Sequence, residues 1–280
     1  QTASLNDHTT APESGIYALQ HFAMKSFIFL YWQWLRRDIV GRYRGTMLGL
    51  LWPLLQPLLQ IGVFTTILYH FMQVRWPHAP IAKGAEVFGL NVFAGMIFFN
   101  FFAEVLNRSP VAVLSQPNLV TKVRFPLLIL PLVTVGSALM GMIPALFLLL
   151  LACALTVGLG VHALLLPLLL IPVLAYAVAL AIMLSGLGVY LRDIGQVMPP
   201  LVGLLMFLTP IFYPTAVIPE ALHIWFGINP IAWSVEAARD LVINGSVPAL
   251  WPSLIHTAGS LVSVVLGLLL FARISKGFDD

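Results

Sequence analysis

Residues 125–191 read FPLLILPLVTVGSALMGMIPALFLLLLACALTVGLGVHALLLPLLLIPVLAYAVALAIMLSGLGVYL, a run without a single Asp, Glu, Lys or Arg. As α-helix at 1.5 Å per residue the run is about 100 Å long. One membrane crossing takes about 20 apolar residues. The run therefore holds two crossings, and Gly158-Leu159-Gly160-Val161-His162 supplies the turn between them. Outward from it, charge is also absent from Gly45 to Gln73, Val87 to Ala103, Ile194 to Pro219 and Leu241 to Ala272. The expected fold is an all-α integral membrane protein with six spans: Thr46–Met72, Val87–Asn107, Leu127–Val157, Leu164–Leu191, Ile194–Tyr213 and Ser253–Arg273.

Composition agrees. Of 280 residues, 60% are hydrophobic and 9% charged, against about 45–50% apolar and about 25% charged in a soluble domain. A water-exposed surface cannot be built from so few polar groups, which excludes an ordinary cytosolic enzyme, a disordered chain and a secreted disulfide scaffold. The one cysteine, Cys153, sits in an apolar run and reads as a packing residue.

The 14 Lys and Arg residues set the orientation. With an inner N-terminus, the inner pieces hold Lys25, Arg36, Arg37, Arg42, Arg44, Arg108, Lys122, Arg124, Arg192, Arg273 and Lys276, and the outer pieces only Arg75, Lys83 and Arg239. By the positive-inside rule both termini are cytoplasmic. Residues 1–24 read as a disordered cytoplasmic tail. Residues 25–45 read as an amphipathic interfacial helix: Phe27, Ile28, Tyr31, Trp34, Leu35 and Ile39 share one face, with Gln33, Arg36, Arg37 and Arg44 on or near the other. Asp38 falls near the apolar face, where Arg42 at i+4 neutralises it. Residues 215–251 are cut by Pro219, Pro230 and Pro248 and carry four charges, which makes a full crossing costly. They are expected to form one or two short re-entrant or interfacial helices on the outer side. The rest, 46–275, forms the six-span domain. Ala177, Ala181 and Ser185, and likewise Gly259, Ser263 and Gly267, recur every four residues, a spacing that lets helix backbones approach, within the chain or across a dimer seam.

The chemistry is defined by what the spans lack. Ion- or proton-coupled carriers place titratable groups at membrane depth; only His70, Asn100 and His256 offer strong polarity there, with both histidines expected at an interface. A phosphate-cradling loop needs Gly-Lys-Ser/Thr, and the chain contains no Gly-Lys pair. HExxH, CxxC and Gly-x-Ser-x-Gly are absent too, Asp38, Glu104 and Asp193 are scattered, and no metal-ligand set is seen. The chain reads as a transporter, not an enzyme, and any ATP hydrolysis belongs to a separate polypeptide.

Several motifs in order carry a resemblance. Arg36-Arg37-Asp38 and Arg42-Tyr43-Arg44, then Leu48-Gly49, Trp52-Pro53 and Gln56-Pro57, lead into the first span; Asn118-Leu119 through Lys122, Arg124, Phe125-Pro126 and Leu130-Pro131 lead into the third. Arg192-Asp193-Ile194 follows the fourth, and Thr209 to Pro214, Ile218-Pro219, Asn229-Pro230 and Glu236-Ala237-Ala238-Arg239 mark the outer region. From about Phe27 to Ser275 the sequence resembles the ABC-2 type export permeases, in the branch that exports cell-surface polysaccharides (O-antigen, capsule, teichoic acid). The resemblance implies a homodimer whose joint interface forms a polymer channel, with two ATP-binding cassette subunits holding ATP and Mg on the cytoplasmic side. The implied cargo is an undecaprenyl-diphosphate-linked glycan, and the implied site is the bacterial inner membrane; nucleic acid has no part. A drug or lipid exporter of the same fold, which typically carries a larger outer domain, and a membrane-embedded lipid-modifying enzyme are the alternatives.

Roles follow from that resemblance. Arg108, Asn118, Lys122 and Arg124 are expected to contact the ATPase, or else to form a solvated positive-inside loop. Arg36, Arg37, Arg42 and Arg44 are expected to bind the diphosphate headgroup, since the guanidinium fork pairs with phosphate oxygens, or else to hold anionic lipid. Tyr69, Phe93, Phe98, Phe101, Phe212, Tyr213 and Trp233 are candidates to line the channel, where rings pack on sugar C–H faces, or else to face lipid. Structural roles are expected for Asp38, Trp52, Pro57, Arg192, Asp193, Asn229, Pro230, Glu236 and Arg239, with Asp193 tying the inner turn to a neighbouring segment.

Overall fold

The structure, a computed structural model, describes residues 13–44, 47, 49–76, 84–117 and 125–275. Among the described residues the regular elements are all helical, with no strand. In chain order the helices are α1 (Glu13–Tyr43), α2 (Trp52–Phe64), α3 (Gly84–Ala112), α4 (Ile129–Thr156), α5 (Leu166–Tyr190), α6 (Ile194–Phe207), α7 (His223–Ile228), α8 (Pro230–Arg239) and α9 (Leu250–Ile274). Helix α2 continues as a π-helical segment, Thr65–Phe71. Among the described residues, five helical stretches are long and apolar enough to cross a membrane: 54–71, 84–112, 129–156, 161–190 and 250–274.

The expected fifth span is shorter than its charge-free run. Helix α6 has 14 residues, about 21 Å at 1.5 Å per residue, against a hydrocarbon core of about 30 Å. It stops just before Thr209-Pro210, where the residue ahead of a proline is pushed out of helical geometry. The N-terminal helix also differs from expectation: α1 reaches back to Glu13, within the stretch read as a tail.

Helix α3 is the axis of the bundle, with 83% of its spanning window buried. Phe88, Phe98 and Phe102 have no exposed surface, and α2, α4, α5, α6 and α8 all pack on the helix. Its approach to α5 requires glycine: a Cβ on Gly188 would collide with the Pro110 carbonyl. Beside that crossing, Ser185 Oγ donates to the Ser109 carbonyl at 2.8 Å.

The small-residue stripes work inside the chain. Ala177, Ala181 and Ser185 are buried, and a Cβ on Gly267 would stand 3.2 Å from the Ala179 carbonyl oxygen. Close α5–α9 packing results. Helix α1 lies on α4, with Leu35 buried and Tyr31 against Gly136. In contrast, none of the spanning window of α2 is buried, and α6 leaves Val197, Leu201, Leu204 and Phe207 exposed.

Residues 215–244 fold into two 3-10 turns, Thr215–Val217 and Glu220–Leu222, then α7, α8 and a π-helical turn, Asp240–Asn244. Asn229 caps α8, its side chain accepting from the Ile231 N–H at 2.9 Å with Pro230 at the first helical position.

Candidate functional site

Two charge clusters hold opposite ends of α3. The first arises from spacing. Asp38 and Arg42 stand one turn apart on α1, and Glu104 and Arg108 one turn apart on α3, so each helix presents an acid and a base on one face. Arg108 Nη2 donates to both Asp38 carboxylate oxygens, at 2.6 and 2.8 Å, and Nη1 donates to Glu104 Oε1 at 3.0 Å. Arg42 pairs with Glu104, lies 3.7 Å from Asp38 and donates to Ser137 Oγ of α4 at 2.7 Å. Two positive and two negative groups thus close a neutral network across three helices. Burial raises the pKa of Asp38, but hydrogen bonds from Arg108 and Ser137 and the charges of Arg108 and Arg42 outweigh it and hold the carboxyl below its ordinary range.

This network separates two cavities. One, of about 630 Å³, is lined by Trp34, Arg37, Asp38, Arg108, Ser115 and Gln116 among others. The other, of about 240 Å³, lies among α2, α3 and α4. Arg42 and Glu104 face both.

The second cluster centres on Arg239 of α8, which is 1% exposed. Its Nε and Nη2 donate to the Asn91 carbonyl of α3 at 3.1 and 3.0 Å. Nη1 donates to the Pro210 carbonyl and to Glu236 Oε1, each at 2.6 Å, and Nη2 also to the Ile211 carbonyl at 2.8 Å. All five guanidinium N–H groups are used, and the group lies over the Trp76 ring at 4.6 Å. Gly95 makes room, since a Cβ there would be 3.0 Å from Arg239 Nη2. Burial pulls the Arg239 pKa down, while the charge and hydrogen bond of Glu236, and Asp240, oppose it. At the same end, His256 is buried: it stacks on Trp233 at 4.7 Å, and its Nε2 lies 2.9 Å from the Gly227 carbonyl.

Several expectations need correction. Arg42 is held by Glu104, Asp38 and Ser137, so its guanidinium is committed inside the subunit and does not stand open for a diphosphate. Arg108 is likewise paired with Asp38 and Glu104, and its part-exposed side chain borders the 630 Å³ cavity. Arg36, Arg37 and Arg44 are exposed, with Arg37 over the Trp34 ring at 4.7 Å. Asn118, Lys122 and Arg124 lie outside the described residues. Phe98 is packed wholly inside the subunit, where no channel wall reaches it; Phe93 and Phe101 are also buried but border the 240 Å³ cavity. Tyr69, Phe212, Tyr213 and Trp233 are half-buried: Tyr69 lies under Arg75, Phe212 against Phe64, and Tyr213 donates to the Phe207 carbonyl at 2.7 Å. Arg192 and Asp193 are exposed, and the expected tie is not seen among the described residues. Trp52 is exposed, whereas Pro57 borders the smaller cavity.

The sequence reading missed Ser137 and Gln60, named Glu104 only as a scattered acid, and named Gln56 only within the motif that leads into the first span. For Glu104 a signal existed, its i,i+4 spacing to Arg108; Ser137 had none.

Residues 30–243, which include both clusters, match the ABC-2 type transporter family. The chain belongs to the ABC-2 type transporter family. It is therefore an integral membrane component of a transporter. Among relatives of this permease is an "O-antigen export system permease protein RfbA" of Klebsiella pneumoniae, 26% identical over 251 residues, covering 87% of this chain and 91% of that protein. A protein of the same description from Myxococcus xanthus is 27% identical over 239 residues, covering 82% of this chain and 85% of its own length.

Proposed function

We propose that this permease is the channel-forming membrane subunit of an ATP-driven exporter that moves a lipid-linked, O-antigen-like polysaccharide across the bacterial inner membrane. The observation that carries the reading is the likeness to O-antigen export permeases along more than four fifths of the chain. Two copies, each crossing six times with α6 and residues 208–213 as the fifth crossing, meet along the uncovered faces of α2 and α6. Two separate ATPase subunits dock on the cytoplasmic side and supply ATP hydrolysis.

In this reading the segment after Arg108 receives the ATPase stroke and α3 carries it as a rigid shaft to the Arg239 clamp. The clamp moves residues 215–244, which act as the outer gate. Exposed Arg36, Arg37 and Arg44 meet the diphosphate at the entrance, while Arg42 locks the helices behind them. Nucleotide state drives the cycle because the ATPase binds the two channel states with different affinity.

Two measurements test the function. Deleting the gene is expected to remove a surface polysaccharide and leave its lipid-linked precursor inside the cell. The tagged permease is expected to co-purify with an ATP-binding subunit. Normal surface glycan after deletion refutes the proposal.

A further inference from the structure

A groove of about 410 Å³ runs between the first turns of α5 and α9. Leu165, Leu168 and Ile171 form one wall and Leu250 and Leu254 the other, all five exposed. Trp233 of α8 also borders it, with its ring stacked on His256 of α9. Its hydroxyl side chains, Ser253 and Thr257, turn back on their own helix, donating to the Ala249 and Ser253 carbonyls at 2.9 and 2.7 Å. Among the described residues no charged side chain lines the groove. The sequence explains the opening. Pro172 removes a hydrogen bond from α5. Gly245 is left-handed, and irregular backbone with Val247 and Pro248 borders the groove before α9 starts at Leu250.

Depth, width and charge select the occupant. Residues 165–172 and 250–257 each cover about 12 Å of helix, less than half of a hydrocarbon core of about 30 Å. The groove therefore lies within one leaflet. Trp251 beside it is 73% exposed and has the side chain that collects at headgroup level. Spread over that length, 410 Å³ gives a cross-section of roughly 34 Å². A helix about 10–12 Å across does not fit; one hydrocarbon chain does. An apolar hollow at that depth stays free of water. The adjoining turn, 240–244, carries Asp240 and Asn244, the amide donating to Asp240 Oδ1 at 3.0 Å. Arg239, just before it, is buried with every N–H used. An acid without an open cation disfavours a diphosphate or other anionic headgroup and suits an ammonium.

We infer that this groove binds one acyl chain of a zwitterionic, ammonium-headed phospholipid of the outer leaflet. The chain packs behind Trp233 and holds α8 against α9, so the lipid is a working part of the outer region and not only its solvent. The side of the membrane and the role of α8 rest on the exporter reading; the groove itself does not.

The test places the purified permease, with the subunit that accompanies it, in nanodiscs of phosphatidylglycerol. A rising fraction of the lipid is phosphatidylethanolamine with a photoreactive diazirine in its acyl chain. After irradiation, peptide mapping is expected to find adducts on 165–172 and 250–257 that saturate. Adducts at Leu261 and Val265, exposed further along α9, should rise in proportion to the labelled fraction. Labelled phosphatidylglycerol in the reverse mixture is expected to mark the groove roughly tenfold less. Ser253→Phe puts a ring where the chain lies and should remove the saturable adducts while sparing those at Val265. Membrane yield and thermal unfolding report whether that variant folds; should it not, Leu168→Trp, at an exposed position, takes its place. In spheroplasts, Asn244→Cys is expected to react with a membrane-impermeant maleimide, Asn244 being exposed and Cys153 buried. Proportional labelling at every position, or equal labelling by the two lipids, overturns the inference, and reaction of Asn244→Cys only after permeabilisation overturns the outer leaflet. If gene deletion abolishes surface glycan but the groove never saturates, this site is wrong and the exporter reading stands. Saturable groove adducts with unchanged glycan keep the lipid site and refute the exporter.

Discussion

Replacing Arg239 with methionine tests the Arg239 clamp directly. The substitution keeps an unbranched but shorter side chain and removes five N–H donors at once. Three buried carbonyls, of Asn91, Pro210 and Ile211, lose their charged partner. Each unpaired buried acceptor costs about 1–3 kcal/mol, and the apolar methionine recovers part of this. Glu236 adds little, because its side chain keeps 33% of its surface exposed and can be hydrated. A net loss of about 3–5 kcal/mol follows, in the range for breaking a buried pair. For a chain of this size that lowers the Tm by roughly 6–20 °C. The assay is thermal unfolding of the purified permease in detergent, followed by tryptophan fluorescence. Arg75→Met is the control, since Arg75 is exposed and makes one main-chain bond to Tyr69. Arg239→Lys is expected to fall between, with a charge but only three donors. If Arg239→Met lowers Tm no further than Arg75→Met, the clamp contributes nothing and the argument fails.

Glu104→Gln leaves Arg42 and Arg108 sharing Asp38 alone. The expected result is ATP hydrolysis without proportionate export, and a double-mutant cycle with Arg42→Gln on Tm should give a coupling of about 0.5–3 kcal/mol; additive losses refute the network. The lowered pKa of Asp38 fixes a sign: its contribution is complete above the unfolded value near 3.8 and is lost as pH falls through the lower folded value. Unfolding curves of wild type and Asp38→Asn should therefore differ at neutral pH and converge in acid, and a constant gap contradicts this. Gly188→Ala forces a Cβ against the Pro110 backbone and should cost about 1–3 kcal/mol. Gly203→Ala meets nothing within 4 Å and should be neutral or stabilising by up to about 1 kcal/mol; equal thermal shifts for the two would be evidence against the close α3–α5 crossing.

Most of the bundle was legible because it follows from where charge is absent. The Phe125–Leu191 run and its Gly158 turn became α4 and α5, and the four-residue stripes of small residues became the packing faces of α5 and α9. Helix ends were less legible, because a charge-free run marks what the membrane tolerates and not where hydrogen bonding stops: α6 ends ahead of Pro210 although apolar residues continue. The site was read least well. Asp38 with Arg42, and Glu236 with Arg239, were visible as local pairs. That Asp38 meets Arg108, 70 positions away, depends on how α1 crosses α3, which no local pattern records. Arg239 binds main-chain carbonyls, and a carbonyl carries no residue identity to read.

In the proposed exporter, the placement of these clusters makes α3 the helix suited to transmit a stroke. Helix α2 is uncovered, contains Pro57 and ends in a π-helical segment; α6 is short and contains Pro199 and Pro200. Either would bend under load. Helix α3 runs unbroken from Gly84 to Ala112, its one proline, Pro110, lies past Arg108, and close-packed neighbours surround it. Asn91 and Glu104 are 13 residues apart, about 20 Å along the axis. Because close-packed interiors are barely compressible, a shift applied near Arg108 reaches Asn91 almost undiminished. There it meets a guanidinium bonded to the helix backbone, so the force passes to residues 210–211 and α8 without a flexible side chain of α3 in the path.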